Sequence, residues 1–421
     1  MTSEPMTALH AAELDAAASA LDASDPLRGF RDRFVGAESA LVYFDGNSLG
    51  RPPKATAARL ATFVEQEWGG RLIRGWDESW MELPFAIGDE IGRVAIGAAA
   101  GQTVIADSTT VLLYKTLRAA FEAQRADDPA RVEIVVDRDN FPTDRYLVEG
   151  IARETGGTVR WIEVPRDGGV EPETLRAAVG PATAVVLLSH VAYRSGHLAD
   201  AETLTRIARD AGALTVWDLC HSAGSVPVHA DDWGFDLAVG CTYKYLNGGP
   251  GSPAFVYVAE RHQAALTQPV QGWMGAADVF SMGPQYAPAA GMRRFLSGTP
   301  PIVGMLVMQD TLGMLAEAGI AAVREKSLAL TSFAERVSDA LLAPLGVTVA
   351  SPRDRERRGG HVTLSHPAMR KVTADLWEQD VIPDYRDPDG LRIGLSPLST
   401  SFAETLAGMR AVEASVRRHA I

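Results

Sequence analysis

Between residues 131 and 258 the hydrophobic pattern switches repeatedly between two periods. "RVEIVVD" (131–137) is a short apolar run, while "TDRYLVEGIARETG" (143–156) spaces its apolar residues at helical intervals. The alternation repeats in "TVRWIEV" and "EPETLRAAV", then in "TAVVLLSHV" and "DAETLTRIARDAG". "ALTVWDL", "FDLAVGCTY" and "PAFVYV" add further strand-like runs. Strands alternating with helices of ~10–15 residues predict an α/β fold with a mostly parallel, doubly wound sheet. Strands with so few polar residues fit that expectation, because helices would cover both faces.

Upstream, "ALVYFDGNSLG" (40–50) predicts a short strand and a turn. "PPKATAARLATFVEQEWGG" (52–70) opens on proline, keeps helical spacing and stops at Gly-Gly, which predicts a helix. "DSTTVLLYKTLRAAFEAQ" (107–124) opens on hydroxyl residues and continues as a helix. From Pro301 the order changes to two long helices, short strands around one helix, and a closing helix. The expected organisation is an N-terminal helical segment (1–40) packing with the small domain, a large ligand-binding domain (41–300) and a smaller C-terminal α+β domain (301–421).

A chain of 421 residues is too long for one simple core. Its net charge of −13 argues against nucleic acid or an anionic membrane as partner. No apolar run approaches the ~18–20 residues of a membrane span. The N-terminus lacks a basic region followed by an apolar core, so no signal peptide is expected and the chain reads as soluble and cytoplasmic. The two cysteines, Cys220 and Cys241, lie in or at the end of apolar runs and read as buried thiols. No Cys/His spacing suggests a metal site.

In open α/β sheets, ligands bind beyond the carboxyl ends of the strands. Asp218 ends "ALTVWD", with His221 just after it; Ser189 ends "TAVVLLS"; Lys244 follows "FDLAVGCTY". Ser108, Thr109 and Thr110 open a helix, whose free N–H groups suit a phosphate. Each residue alone has an ordinary explanation as a solvated strand end, a helix cap or a packed histidine. Together they offer a lysine for an aldehyde, an acid for a ring nitrogen and a helix N-terminus for a phosphate, as pyridoxal phosphate requires. Phe141, in "NFPTD", is available to cover the ring. A nucleotide site stays open on fold grounds, although neither GxGxxG nor GxxxxGK[ST] occurs.

"WDLCHSAGSVPV" followed by "AVGCTYKYLNGGPGSPAFVYV" resembles kynureninase, a pyridoxal phosphate enzyme of fold type I. "YFDGNSLG", "LIRGW", "NFPTD", "GTPPI" and "LRIGLSPL" extend the resemblance in order from about residue 42 to 402. It implies hydrolysis of L-kynurenine, or a ring-substituted relative, to an anthranilate and L-alanine, as in tryptophan catabolism. It further implies Lys244 as the Schiff-base lysine and Tyr243 as acid–base group. Asp218 would meet the pyridine nitrogen, with His221 beside the ring, Phe141 stacked on it and Asp144 in contact. Thr109, Thr110, Tyr243 and Ser189 would surround the phosphate, completed by Trp273 and Thr299 from the other subunit of a homodimer. Arg392 would anchor the substrate carboxylate, with Ser48, Trp76 and Met274 facing the substrate.

The sequence departs from the family pattern in "GWMGA", with Met274 for an aromatic and Ala276 for a histidine, and at Ser399, where a tyrosine is usual. A kynureninase variant of secondary metabolism with a roomier aryl pocket is therefore an alternative. Others are a transaminase, desulfurase or β-lyase acting on another amino acid, or a silent cofactor-binding protein. A desulfurase normally needs a mobile nucleophilic cysteine near the C-terminal domain, whereas Cys220 and Cys241 fall in the sheet region.

Overall fold

The computed structural model describes residues 8–419. After a minor strand, β1 (Val42–Tyr43), seven strands build the large sheet: β2 (Thr103–Ala106), β3 (Glu133–Asp137), β4 (Thr158–Ile162), β5 (Thr183–Ser189), β6 (Leu214–Asp218), β7 (Leu237–Gly240) and β8 (Ala254–Val258). Their spatial order is β2-β8-β7-β6-β5-β3-β4. From β4 to β7 every pairing is parallel; β8 runs antiparallel to both β7 and β2. This is the expected doubly wound sheet. Alternate strand residues enter two apolar layers, Ile105, Val135, Val186 and Trp217 on one side and Val104, Ile134, Val185 and Val216 on the other. Covering both faces is what makes the strands read as unbroken apolar runs.

A four-stranded antiparallel sheet of β9 (Thr348–Val349), β10 (His361–Ser365), β12 (Asp384–Arg386) and β13 (Gly390–Gly394) forms the second centre, in the order β12-β13-β10-β9. Between them in the chain, β11 (Val381–Ile382) pairs instead with β1. Val362, Leu364, Leu391 and Ile393 turn into a core with Phe402, Leu406 and Met409 of the closing helix Phe402–His419. The N-terminal helix Ala8–Ser24 adds Leu14 and Ala18 to that core. Asp22 caps the closing helix, accepting the Phe402 and Ala403 N–H groups at 2.8 and 2.9 Å. The outermost residues of the expected N-terminal segment, 1–7, lie outside the described residues.

The helix Ile302–Ala318 sends Met305, Met308 and Leu312 into the large core. Its successor, Ile320–Leu341, contributes Val323 to the large core but Leu330, Phe333 and Val337 to the small one. The packing thus passes from one core to the other inside a single helix. Among the described residues no single helix is long and apolar enough to cross a membrane.

Candidate active site

β5, β6 and β7 end side by side, and the register sets Ser189 opposite Asp218 and Asp218 opposite Val239. The turn carrying Lys244 follows β7 and is locked from below. Asn247 adopts a left-handed conformation (φ 53°) and donates from Nδ2 to the Arg51 carbonyl at 3.0 Å. The Gly50 N–H donates to the Tyr243 carbonyl at 2.7 Å. A Cβ on Gly50 would run into the Asn247 amide and the Lys244 carbonyl oxygen, so glycine alone permits this approach.

Lys244 Nζ lies 3.2 Å from His221 Nε2 and 5.9 Å from the centre of the Phe141 ring. Burial, and then the charges of Lys244 and Arg392, hold His221 well below the ordinary histidine range. Phe141 precedes the helix Pro142–Thr155 and meets Tyr193 edge-on, with ring centres 5.3 Å apart. Asn140 Oδ1 accepts the Ser189 hydroxyl at 2.8 Å and the Phe141 N–H at 2.7 Å, tying the end of β5 to that helix. Asp218 Oδ1 accepts the Cys220 N–H at 2.7 Å. Asp144 is buried, and its Oδ2 has no partner among the described residues. Burial, then the negative charges of Asp218 and Asp137, raise the Asp144 carboxyl well above the usual range.

The helix Thr109–Asp127 points its N-terminus at this edge of the sheet. Thr109 is half-buried and accepts the Cys220 thiol at 3.9 Å; Thr110 is exposed. Tyr243 is half-buried, and burial followed by the neighbouring Cys241 and Cys220 raises its phenol. Thr299 lines the same hollow as Ser108 within one chain. Trp273 lies in a separate surface hollow with Met282 and Tyr286.

The other wall comes from the small sheet. Arg392 is wholly buried. Its Nε donates to Asp384 Oδ1 at 2.7 Å, its Nη1 to the Tyr193 carbonyl at 2.7 Å, and its Nη2 to Ser48 Oγ at 3.0 Å and to Asp384 Oδ2. Burial pushes the Asp384 carboxyl up, but hydrogen bonding and the charges of Arg392 and Arg386 outweigh it and hold the group below its ordinary value. Burial and then the charge of Asp384 push Asp45 up to about 6. His361 is buried with no partner for either ring nitrogen among the described residues, its ring centre 5.9 Å from that of His221; burial lowers it to about 3.

Lys244, His221, Asp218, Asp144, Phe141 and Ser189 thus share one edge of the sheet, with Arg392 and Ser48 across from them. Two expected substrate contacts, Trp76 and Met274, pack against side chains of their own chain. Trp76 meets Trp80 edge-on at 5.5 Å and packs in a cluster with Phe63 and Ile302. Met274 is wholly buried among Met292, Phe295 and Leu296. Asp384, Asp45, Tyr193 and His361 were not foreseen, although Asp45 stands inside "YFDGNSLG" and Asp384 lies two residues from Arg386 on one strand. Among the described residues no group of three or more His, Cys, Asp or Glu side chains is arranged to hold a metal ion.

Comparison with known proteins bears on this geometry. The family model for the kynureninase C-terminal domain matches residues 323–412. The chain is 41% identical over 388 residues to a kynureninase of Pseudomonas fluorescens, covering 91% of each chain. An apo cysteine desulfurase from Thermococcus onnurineus NA1 superposes with a TM-score of 0.78 at 18% identity, over 99% of this chain and 100% of that one. A C-DES variant with glycine covalently linked to its PLP cofactor gives 0.79 at 19% identity, over 91% and 98%. At such identity the two solved structures speak for the fold alone.

Proposed function

The chain belongs to the kynureninase family, and from that premise we propose that its Lys244 site hydrolyses L-kynurenine, or a ring-substituted kynurenine, to the corresponding anthranilate and L-alanine with pyridoxal 5′-phosphate as cofactor. The observation that carries this is Lys244 held against His221 and Phe141 at the strand edge that presents Asp218. The residues fit the cofactor. Asp144 has a buried oxygen without a partner, Asp218 Oδ1 is fixed by one N–H, and Thr109 stands at a helix N-terminus suited to a phosphate. When bound, the cofactor supplies an aldehyde for amino groups and a ring that takes up an electron pair.

The chain's own groups divide the remaining work. Asp218 would hold the proton on the ring nitrogen. Phe141 would cover the ring, with His221 beside it and Ser189 near the phosphate. Lys244 Nζ removes the proton from the substrate Cα, its amine kept within reach by the neutral His221 ring. Tyr243, whose phenol stays protonated because burial disfavours its anion, handles the proton at the substrate's γ-carbonyl oxygen as water adds there. Arg392, with Ser48, anchors the substrate α-carboxylate.

The protein acts as a homodimer in which Trp273 and Thr299 reach the partner's phosphate site. Trp68 (53% exposed), Ile73 (76%), Phe280 (61%) and Met282 (71%) support this, because so much large apolar surface calls for a cover. Two free, buried cysteines suit a reducing cytoplasm. Incubation with L-kynurenine tests the function directly. Anthranilate and L-alanine should appear in equal amounts, and loss of the amino group without anthranilate would point to transamination instead.

A further inference from the structure

In an antiparallel ladder, residues directly opposite one another project from the same face of the sheet. Arg392 on β13 lies opposite Asp384 on β12 and Thr363 on β10, and Gly390 lies opposite Arg386. Asp384, Arg386 and Arg392 therefore share the face turned away from Leu391 and Ile393, which fill the small core. On that face Asp384 takes both N–H groups along one edge of the Arg392 fork, at Nε and Nη2. It also accepts from Arg386 Nη2 at 2.6 Å and from the Ser48 hydroxyl at 3.3 Å. A guanidinium has five N–H groups in a fixed plane. Asp384 takes two, the Tyr193 carbonyl one and Ser48 one. What Arg392 can still offer a ligand is its one unclaimed N–H, on Nη1, beside the Ser48 hydroxyl that Nη2 holds.

We propose that Asp384 is the positioning residue of the substrate-carboxylate anchor. By holding the Nε–Nη2 edge of Arg392 it fixes the plane of the fork, turns the remaining Nη1 N–H and Ser48 toward the substrate, and neutralises one of two adjacent arginines. Asp384 does not itself touch the substrate. The proposal rests on Arg392 being the carboxylate anchor.

The test compares L-kynurenine with its α-carboxamide, which lacks only the negative charge, in holoenzyme carrying Asp384→Asn, Asp384→Glu or Arg392→Lys. For Asp384→Asn, kcat/KM for the carboxylate substrate should fall roughly 10- to 100-fold, mostly through KM, while the carboxamide changes by less than about threefold. The dissociation constant of L-alanine, measured by calorimetry, should rise in parallel. Asp384→Glu, which keeps the charge on a longer arm, should shift the ratio by about 3- to 10-fold, and it carries the test if the Asn variant does not fold. An unchanged carboxylate-to-carboxamide ratio in a folded Asp384 variant overturns the proposal, whether both substrates suffer alike or neither does. If Arg392→Lys also leaves the ratio unchanged, the anchor itself has been misplaced. If only Arg392→Lys collapses it, the anchor stands and Asp384 has no part in it.

Discussion

Replacing Arg392 with alanine should produce two separable losses. The first is stability. Removing one partner of a buried ion pair generally costs ~3–5 kcal/mol, because the other charge is stranded. Asp384 would keep Arg386 at 2.6 Å, and its side chain retains 12% exposure, so the lower end, about 3 kcal/mol, applies. In a chain this long that amounts to a fall of several degrees in the thermal midpoint of the holoenzyme. The second loss is catalytic. A charge-assisted anchor for a carboxylate is worth ~2–4 kcal/mol in the transition state, or roughly 30- to 1000-fold in kcat/KM. Cofactor content should survive, because Lys244, Asp218 and the helix N-terminus belong to the other core. Thermal unfolding, cofactor absorbance and steady-state kinetics on one preparation separate the effects. Should the variant keep kcat/KM within about threefold of wild type, or lose the cofactor while binding substrate normally, the anchor has been misplaced. A variant as stable as wild type would show that Arg392 and Asp384 do not form the buried pair described.

Lys244→Ala should lose borohydride-trappable cofactor and retain less than about a hundredth of wild-type turnover; a more active variant would remove Lys244 from its role. Asp45 has a folded pKa of about 6, above its unfolded value near 3.9, so its favourable contribution is complete below about pH 4 and is lost as pH rises through 6. Thermal stability should accordingly fall over that window, and Asp45→Asn should flatten the fall; an identical pH profile in the variant would exclude Asp45 as the cause. Bulkier ring-substituted kynurenines should be accepted well, since an added methyl in an apolar pocket is worth ~1–3 kcal/mol. With Met274 inside the core, Ala276 and Ser399 carry this expectation, the latter with a buried hydroxyl lacking a partner among the described residues. A steep fall in efficiency from kynurenine through 3-hydroxykynurenine to a ring-methylated analogue would refute it.

Between residues 131 and 258 the sheet was legible because each parallel strand is a local event, an apolar run bounded by turns and, for β3, β4 and β5, followed by its own helix. β2 was not. It is the four-residue run "TVIA", and its partner β8 lies some hundred and fifty residues later, so its pairing leaves no local trace. The helix Leu83–Ile91 was hidden for another reason. It contains Gly88, a residue that argues against a helix locally. Gly88 is there because the helix backbone presses against β2, where a Cβ would meet the Thr103 carbonyl. The site divides along the same line. Lys244, Asp218 and Ser189 announce themselves at strand ends. Asp384 gains its meaning only from standing opposite Arg392, a register no composition reveals, although the alternation in "DYRDPDGLRIG" does put 384, 386 and 392 on one face once the hairpin is assumed.

Sulfur decides how far the likeness to desulfurases extends. The fold is shared, yet function belongs to the site and not to the frame. The two cysteines of this chain lie between the strand ends and the helix Thr109–Asp127. Cys220 accepts the Cys241 N–H at 3.2 Å, and its thiol is pushed up by Cys241 and by burial. A nucleophilic cysteine needs an exposed, electropositive setting that favours the thiolate. Cys220 has a raised thiol, and Cys241, though lowered, is sealed within the sheet. Neither can reach out to a substrate's sulfur. What faces the substrate space is Lys244 from the large core and the Arg392–Asp384 pair from the small one. On the proposed roles, water and Tyr243 act on a carbonyl carbon, and neither buried thiol is set out as a nucleophile for sulfur.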